Sequence, residues 1–88
     1  MKRLEILKGK NISLQYHKDK HETWHIVEGY GTAVIDDDIV TVIPGDTVII
    51  PPGVIHQVRA DSDKLVIIES STTQLNDINR LGYDFLCI

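Results

Sequence analysis

Residues 13–29 read SLQYHKDKHETWHIVEG, and this stretch decides the fold. Gln15 and His17 are two residues apart, so on a β-strand their side chains point the same way. A short loop then brings Glu22 back on the neighbouring strand. A second stretch, GDTVIIPPGVIH at residues 45–56, supplies His56. An amide oxygen, two imidazoles and a carboxylate are donors that a divalent metal ion with nitrogen and oxygen preference binds, and the sequence predicts that they converge.

Length and composition restrict the class of protein. Eighty-eight residues make one small domain, which gains stability from a bound metal ion or from pairing as a homodimer. The net charge is −4 and the basic residues are scattered, so we expect no nucleic-acid partner. No apolar run approaches the length of a membrane span, and Cys87 has no second cysteine to pair with. We expect a cytoplasmic protein without a membrane partner.

Short β-rich runs separated by turn residues extend over most of the chain. This spacing predicts an all-β fold with a closed or double-sheet arrangement. The acidic residues 36–38 are predicted to form a solvated hairpin turn. Residues 73–77 are predicted to begin a short helical turn. The predicted strands are residues 3–7, 12–17, 23–28, 32–35, 39–43, 47–50, 54–60 and 64–69.

The spacing of these residues resembles the two motifs of the cupin superfamily. The first motif has two ligands at i and i+2, then a glutamate and a glycine, and it is matched by Gln15, His17, Glu22 and Gly29. The second has a glycine, a Pro-x-Gly turn and a histidine, matched by Gly45, residues 51–53 and His56. The resemblance implies one small cupin domain over residues 1–88, a jelly-roll or double-stranded β-helix barrel with a metal ion inside. Gln15 departs from the usual histidine, and Ala60 from an asparagine often found there.

The first stretch also resembles the cupin domain of type II mannose-6-phosphate isomerases, whose motif looks like S-L-Q-x-H-x-x-R-x-E-x-W. Lys20 stands where that family usually has arginine, and Arg80 ends a run similar to its D-I-V-R segment. The resemblance implies a metal-dependent aldose–ketose isomerase acting on a sugar or sugar phosphate. Lys20 and Arg80 are then the candidates for binding the substrate phosphate. The metal is one of Zn, Mn, Fe, Co or Ni, and no general base is identified.

Two alternative functions stay open. His17, Glu22 and His56 form a two-histidine, one-carboxylate set, which also suits non-haem Fe(II) oxygenases. A non-catalytic metal- or sugar-binding cupin is the third reading. It is favoured because the family's leading Pro-Trp-Gly segment and final Tyr-Gly-Arg are not found in these 88 residues.

For four further side chains near the first motif, a structural role is predicted ahead of a functional one. His21 lies in the connecting loop and His25 has the strand parity opposite to Glu22, so both are predicted to be solvated or packed. Trp24 shares the parity of Glu22 and is predicted to be core or pocket wall, with sugar stacking as the alternative. Glu28 is predicted to be an exposed strand end, with a general base as the alternative.

Overall fold

The structure is a computed structural model that describes residues 1–12, 14–16, 18 and 20–71, together with the backbone of residues 79 and 80. All regular structure in this part of the chain is β-strand, and it contains no helix long and apolar enough to cross a membrane. The strands are β1 (Lys2–Leu7), β2 (Gln15–Tyr16), β3 (Glu22–Glu28), β4 (Gly31–Ile35), β5 (Asp38–Val42), β6 (Thr47–Ile50), β7 (His56–Ala60), β8 (Lys64–Ser71) and β9 (Asn79–Arg80).

These strands form two antiparallel sheets whose inner faces enclose the core. The four-stranded sheet has the order β1-β8-β3-β6, and the five-stranded sheet has the order β5-β4-β7-β2-β9. Strand β3 shows the alternation that builds such a core: Trp24 and Ile26 are buried, whereas His25 between them is exposed. The buried cluster consists of Ile6, Trp24, Ile26, Ala33, Val42, Ile50, Val58, Ala60, Leu65 and Ile67. The predicted all-β, double-sheet architecture is confirmed.

The predicted strand at residues 12–17 is interrupted. Asn11 makes an isolated bridge to Arg59, and regular pairing resumes only at Gln15. The fully buried Gln57 donates from Nε2 to the Ile12 carbonyl at 3.0 Å, so a side chain replaces a backbone partner at the interruption. Strand β9 was not predicted, and the helical turn predicted at residues 73–77 lies outside the described residues.

The acidic turn between β4 and β5 is an exposed hairpin turn, as predicted, and it also makes contacts with another part of the chain. Asp36 is exposed and has a φ of 53°, as tight hairpin turns require. Its backbone N–H donates to the Ile55 carbonyl at 2.7 Å, and its carboxylate accepts from the Ile55 N–H at 3.0 Å. Asp38 belongs to β5 rather than to the turn. The hairpin therefore fixes the backbone of the residue that immediately precedes His56.

Gly29 ends β3 at a position that only glycine fits. A register shift between Ile26 and Glu28 leaves Val27 as a bulge, and Gly29 follows with a φ of +79°. A Cβ atom placed on Gly29 would lie 1.9 Å from the Lys64 carbonyl oxygen. Both the backbone conformation and the contact with the start of β8 therefore exclude a side chain there.

Gly29→Ala is expected to lower the free energy of unfolding by about 3 kcal/mol or more, because a strained φ is combined with a backbone clash. Gly9→Ala is the matched control, since Gly9 has a φ of +77° and a Cβ atom placed on it would have no atom within 4 Å. The Gly9→Ala variant should lose only the part of the free energy of unfolding that comes from the strained φ, about 1–2 kcal/mol. Urea unfolding followed by circular dichroism measures both. Equal losses in the two variants would show that the Lys64 contact does not constrain the fold.

Candidate metal site

Glu22 and His56 meet in the interior from opposite sheets. Glu22 begins β3 of the four-stranded sheet, and His56 begins β7 of the five-stranded sheet. The Glu22 Oε1 and His56 Nε2 atoms are 3.3 Å apart, and the two side chains are 3% and 1% exposed. Ionisable groups removed from water this completely require a partner of complementary charge. The two residues come from the two separate motifs, so the predicted convergence of Glu22 and His56 is observed.

The backbone fixes which nitrogen of His56 faces the carboxylate. His56 Nδ1 lies 2.9 Å from the Val54 carbonyl oxygen. A carbonyl only accepts hydrogen bonds, so Nδ1 carries the proton in this contact. In the neutral ring, Nε2 then presents its lone pair to the Glu22 carboxylate. Two electron-rich atoms in this arrangement are stabilised by a positive charge between them, either a proton or a metal ion.

The separation of the two donors fits a shared metal ion. Donor atoms that each lie about 2.1 Å from one metal are about 3.0–3.4 Å apart at octahedral to tetrahedral angles. The 3.3 Å between Glu22 Oε1 and His56 Nε2 falls in this range. A neutral imidazole nitrogen with its other nitrogen bonded to a carbonyl, next to a carboxylate oxygen, is also a common pair of metal donors. The two residues therefore fit a divalent metal ion.

Of the other two predicted ligands, the structure places only Gln15. Gln15 is half-buried and pairs directly with His56 across β2 and β7, which places the two side chains on the same face of the sheet. His17 lies outside the described residues. Within the described part of the chain, no group of three or more His, Cys, Asp or Glu side chains is arranged to hold a metal ion. Glu22 and His56, with Gln15 beside them, are what the structure brings together.

The two predicted phosphate-binding residues lie on either side of this pair in the sequence. Lys20 lies two residues before Glu22 and is only 7% exposed, which is uncommon for lysine. Arg80 lies on β9, where its backbone pairs with Gln15, and the structure does not describe its side chain. Backbone register thus places Arg80 next to the strand that carries Gln15.

The neighbouring aromatic and charged residues occupy the structural positions that the sequence predicts for them. Trp24 is fully buried and directs its ring edge-on to His56, with the ring centroids 5.6 Å apart. It is a wall of the site rather than an exposed stacking platform. His21 and His25 are exposed. Glu28 is exposed and forms an ion pair with Lys64 at 3.2 Å, because the bulge at Val27 breaks the inward alternation of β3.

Glu69 is a site residue that the sequence reasoning missed. It lies on β8 opposite Trp24, whose Nε1–H donates to Glu69 Oε1 at 3.3 Å. Burial, followed by a hydrogen bond and the charge of Glu22, raises the pKa of Glu69 to about 7. Glu69 shares the inward parity of Leu65 and Ile67 on β8. An acidic residue at an inward-facing strand position is the sequence signal that could have identified it.

The raised pKa of Glu69 predicts how the stability of the metal-free protein depends on pH. The folded protein retains this proton up to about pH 7, whereas the unfolded chain loses it near its ordinary pKa of 4.5. The contribution of Glu69 to stability is therefore complete below pH 4.5 and is lost as the pH rises through 7. Glu69→Gln lacks this titration and is the matched control. Urea unfolding in EDTA should show wild-type stability falling relative to the variant between pH 4.5 and 7. A constant difference would contradict the prediction.

Comparisons with known proteins agree on the fold. A protein with a double-stranded β-helix domain from Klebsiella pneumoniae superimposes with a TM-score of 0.83 at 14% identity, over 92% of this chain and 72% of that chain. A cupin 2 conserved barrel domain protein from Rhodopseudomonas palustris gives a TM-score of 0.78 at 28% identity, over 89% of this chain and 54% of its own. The predicted double-stranded β-helix fold is confirmed.

A candidate sugar phosphate isomerase from Acidithiobacillus ferrooxidans gives a TM-score of 0.75 at 24% identity, over 81% of this chain and 47% of that one. The chain thus spans about half the length of this protein and of the Rhodopseudomonas protein. Among proteins of curated function, none matches this sequence. The Cupin domain family, Cupin_2, matches residues 2–69, which includes Glu22, His56, Trp24 and Glu69. With most of its length matched by that family and its fold shared with cupin structures, this chain belongs to the cupin domain family.

Proposed function

We propose that this cupin domain binds a divalent metal ion through Glu22 and His56, with Gln15 and His17 completing the set. We further propose that it catalyses aldose–ketose isomerisation of a sugar phosphate, with mannose 6-phosphate as the substrate class. The observation that carries the proposal is the buried 3.3 Å contact between Glu22 Oε1 and His56 Nε2, with the His56 proton held at Nδ1 by Val54. A homodimer in the cytoplasm belongs to the same proposal.

The side chains around the pair have distinct tasks in this proposal. Glu22 contributes negative charge, and His56 contributes a nitrogen lone pair whose direction is set by Val54. Trp24 covers one side of the imidazole and keeps water from it. A divalent cation bound there supplies Lewis acidity toward the carbonyl of the sugar. Lys20, being nearly buried, offers a weakly hydrated positive charge that suits a phosphate group.

Two observations support a sugar phosphate as the substrate. The motif from Ser13 to Trp24 is similar to that of type II mannose-6-phosphate isomerases, with Gln15, His17, Glu22 and Trp24 in matching positions. The Acidithiobacillus protein with the same fold carries the name of a candidate sugar phosphate isomerase. Cupin domains often bind a divalent metal, which agrees with the donors found here.

Replacement of His56 is expected to remove metal binding. His56→Asn should weaken the affinity for Zn²⁺, Mn²⁺ or Co²⁺ by about 100-fold or more, since a direct ligand contributes more than the 10–100-fold of an outer partner. His25→Asn is the matched control, because His25 is exposed and points away from the site. Isothermal titration calorimetry measures both affinities, and elemental analysis gives the resident metal. Undiminished affinity in His56→Asn would overturn the metal site.

The isomerase activity is tested directly with mannose 6-phosphate. Wild-type protein loaded with Zn²⁺, Mn²⁺, Co²⁺ or Fe²⁺ should form fructose 6-phosphate, and EDTA or His56→Asn should abolish turnover because the Lewis acid is lost. The same samples are assayed for oxygen consumption and for sugar binding. Iron-dependent oxygen uptake without isomerisation would favour the oxygenase alternative, and binding without turnover would favour a non-catalytic cupin. Turnover that persists without metal would contradict the proposal.

A further inference from the structure

Strand β1 (Lys2–Leu7) lies at one end of the four-stranded sheet and has one open backbone edge. Among the described strands it pairs with β8 alone, in a register that runs from Lys2 opposite Glu69 to Leu7 opposite Lys64. An exposed strand edge is a template on which another strand can pair, so a protein either blocks such an edge or uses it.

A hydrogen bond at the end of β1 shows which backbone groups face the open edge. The Lys8 N–H donates to the Asp63 carbonyl at 3.0 Å, and these two residues continue the register of β1 with β8. In an antiparallel ladder every second residue bonds to the neighbouring strand, so the even-numbered residues of β1 bond to β8. Arg3 and Glu5 therefore direct their N–H and C=O groups to the open edge, and both side chains are exposed.

We propose that β1 pairs antiparallel with β1 of a second copy of this chain, about a two-fold axis at Leu4. The two four-stranded sheets then join into one continuous sheet across the dimer. The inference rests on the homodimer in the proposed function and supplies its interface, while the metal site takes no part in it.

Charge complementarity favours this register. With the axis at Leu4, Arg3 lies opposite Glu5 of the partner subunit, and Glu5 lies opposite Arg3 of the partner subunit. Opposite charges that face each other across an antiparallel pair stabilise it, whereas like charges destabilise it. Within one chain, Arg3 Nη1 and Glu5 Oε2 are already 2.8 Å apart. The four charges of the dimer therefore alternate in sign around the axis.

The neighbouring registers are unfavourable. An axis at Arg3 places the two arginines opposite each other, and an axis at Glu5 does the same with the two glutamates. An axis between two residues places an edge-facing residue opposite one that bonds to β8, so the new ladder loses its hydrogen bonds. In the register about Leu4, Met1 lies opposite Leu7 of the partner subunit, and these apolar side chains are 99% and 58% exposed. The dimer would cover both of them.

Two other edge strands with described side chains, β5 and β6, lack such a charge pattern. Their sequences are DIVTV and TVII, with one carboxylate and no basic residue between them. A second copy could pair with either strand in several registers, because no charged pair selects one of them. The β1 edge is therefore the one that fits a second copy in a single defined way.

Charge reversal tests this interface by sedimentation velocity. Wild type should show a monomer–dimer equilibrium over about 1–100 µM, the affinity expected of a small interface. Arg3→Glu and Glu5→Arg should each weaken dimerisation about tenfold or more, because each places like charges opposite each other at two points. Glu28→Lys is the matched control, since it makes nearly the same charge change and breaks an exposed ion pair with Lys64, and β8 separates it from β1. It should dimerise like wild type.

Mixing the two reversal variants separates contacts between chains from contacts within one chain. In a mixed dimer, positions 3 and 5 of one chain again face opposite charges on the other. An equimolar mixture of Arg3→Glu and Glu5→Arg should therefore form heterodimers with an affinity within about threefold of the wild-type dimer. Positions 3 and 5 within each chain stay like-charged, so an effect confined to one chain would not be rescued.

Three results would overturn the inference: a wild type that stays monomeric at about 100 µM, a dimer unchanged by both reversals, or a mixture that fails to associate. A dimer unchanged by the reversals would point to another edge such as β5. Zn²⁺ affinity, measured on the same samples, is expected to be unchanged by the reversals, so failure of the dimer is distinguishable from failure of the metal site. Should a reversal variant not fold by circular dichroism, Arg3→Gln and Glu5→Gln replace the pair. Each should weaken the dimer about threefold, and no weakening would overturn the inference.

Discussion

The removal of a carboxylate and an imidazole from water, at the point where two sheets meet, is the constraint on which the rest of this structure depends. Burying Glu22 without compensation would be costly. Directed contacts surround the pair: the Val54 carbonyl accepts a hydrogen bond from His56 Nδ1, and Glu69, the diagonal neighbour of Glu22 on β8, accepts one from Trp24. A hydrophobic pair of similar volume would pack more easily in that place. Its retention as an ionisable pair is what one expects of a functional site.

The pair also depends on features far from it in the chain. Asp36, in the hairpin between β4 and β5, holds the backbone of Ile55 through two hydrogen bonds, and His56 follows directly. Gly29 allows the end of β3 to pass close to Lys64 and so keeps β3 beside β8. The position of each donor is thus set by neighbouring strands and turns as well as by its own strand. A site built on strand pairing in this way tolerates little drift of its donors.

Motif spacing predicted the fold and the approach of Glu22 to His56 that the structure shows. Glu22 and His56 were identified because ligand chemistry and turn residues occur at fixed separations, a local property of the sequence. Glu69 was missed because its importance arises from pairing with Trp24, 45 positions earlier in the chain. The binding of Asp36 to Ile55 was missed for the same reason, since it is a tertiary contact of an apparently ordinary turn. At the interruption of the strand predicted at residues 12–17, the Gln57 side chain binds the Ile12 carbonyl, a tertiary contact that no local pattern reveals.

Trp24 is the only tryptophan of the chain, and its ring lies edge-on to His56. Its intrinsic fluorescence therefore arises almost wholly from within the site. Protonation of the imidazole, or a paramagnetic ion held by it, would change the emission of the indole with no label attached. Trp24 is therefore an intrinsic fluorescent probe of whether an ion occupies the candidate metal site.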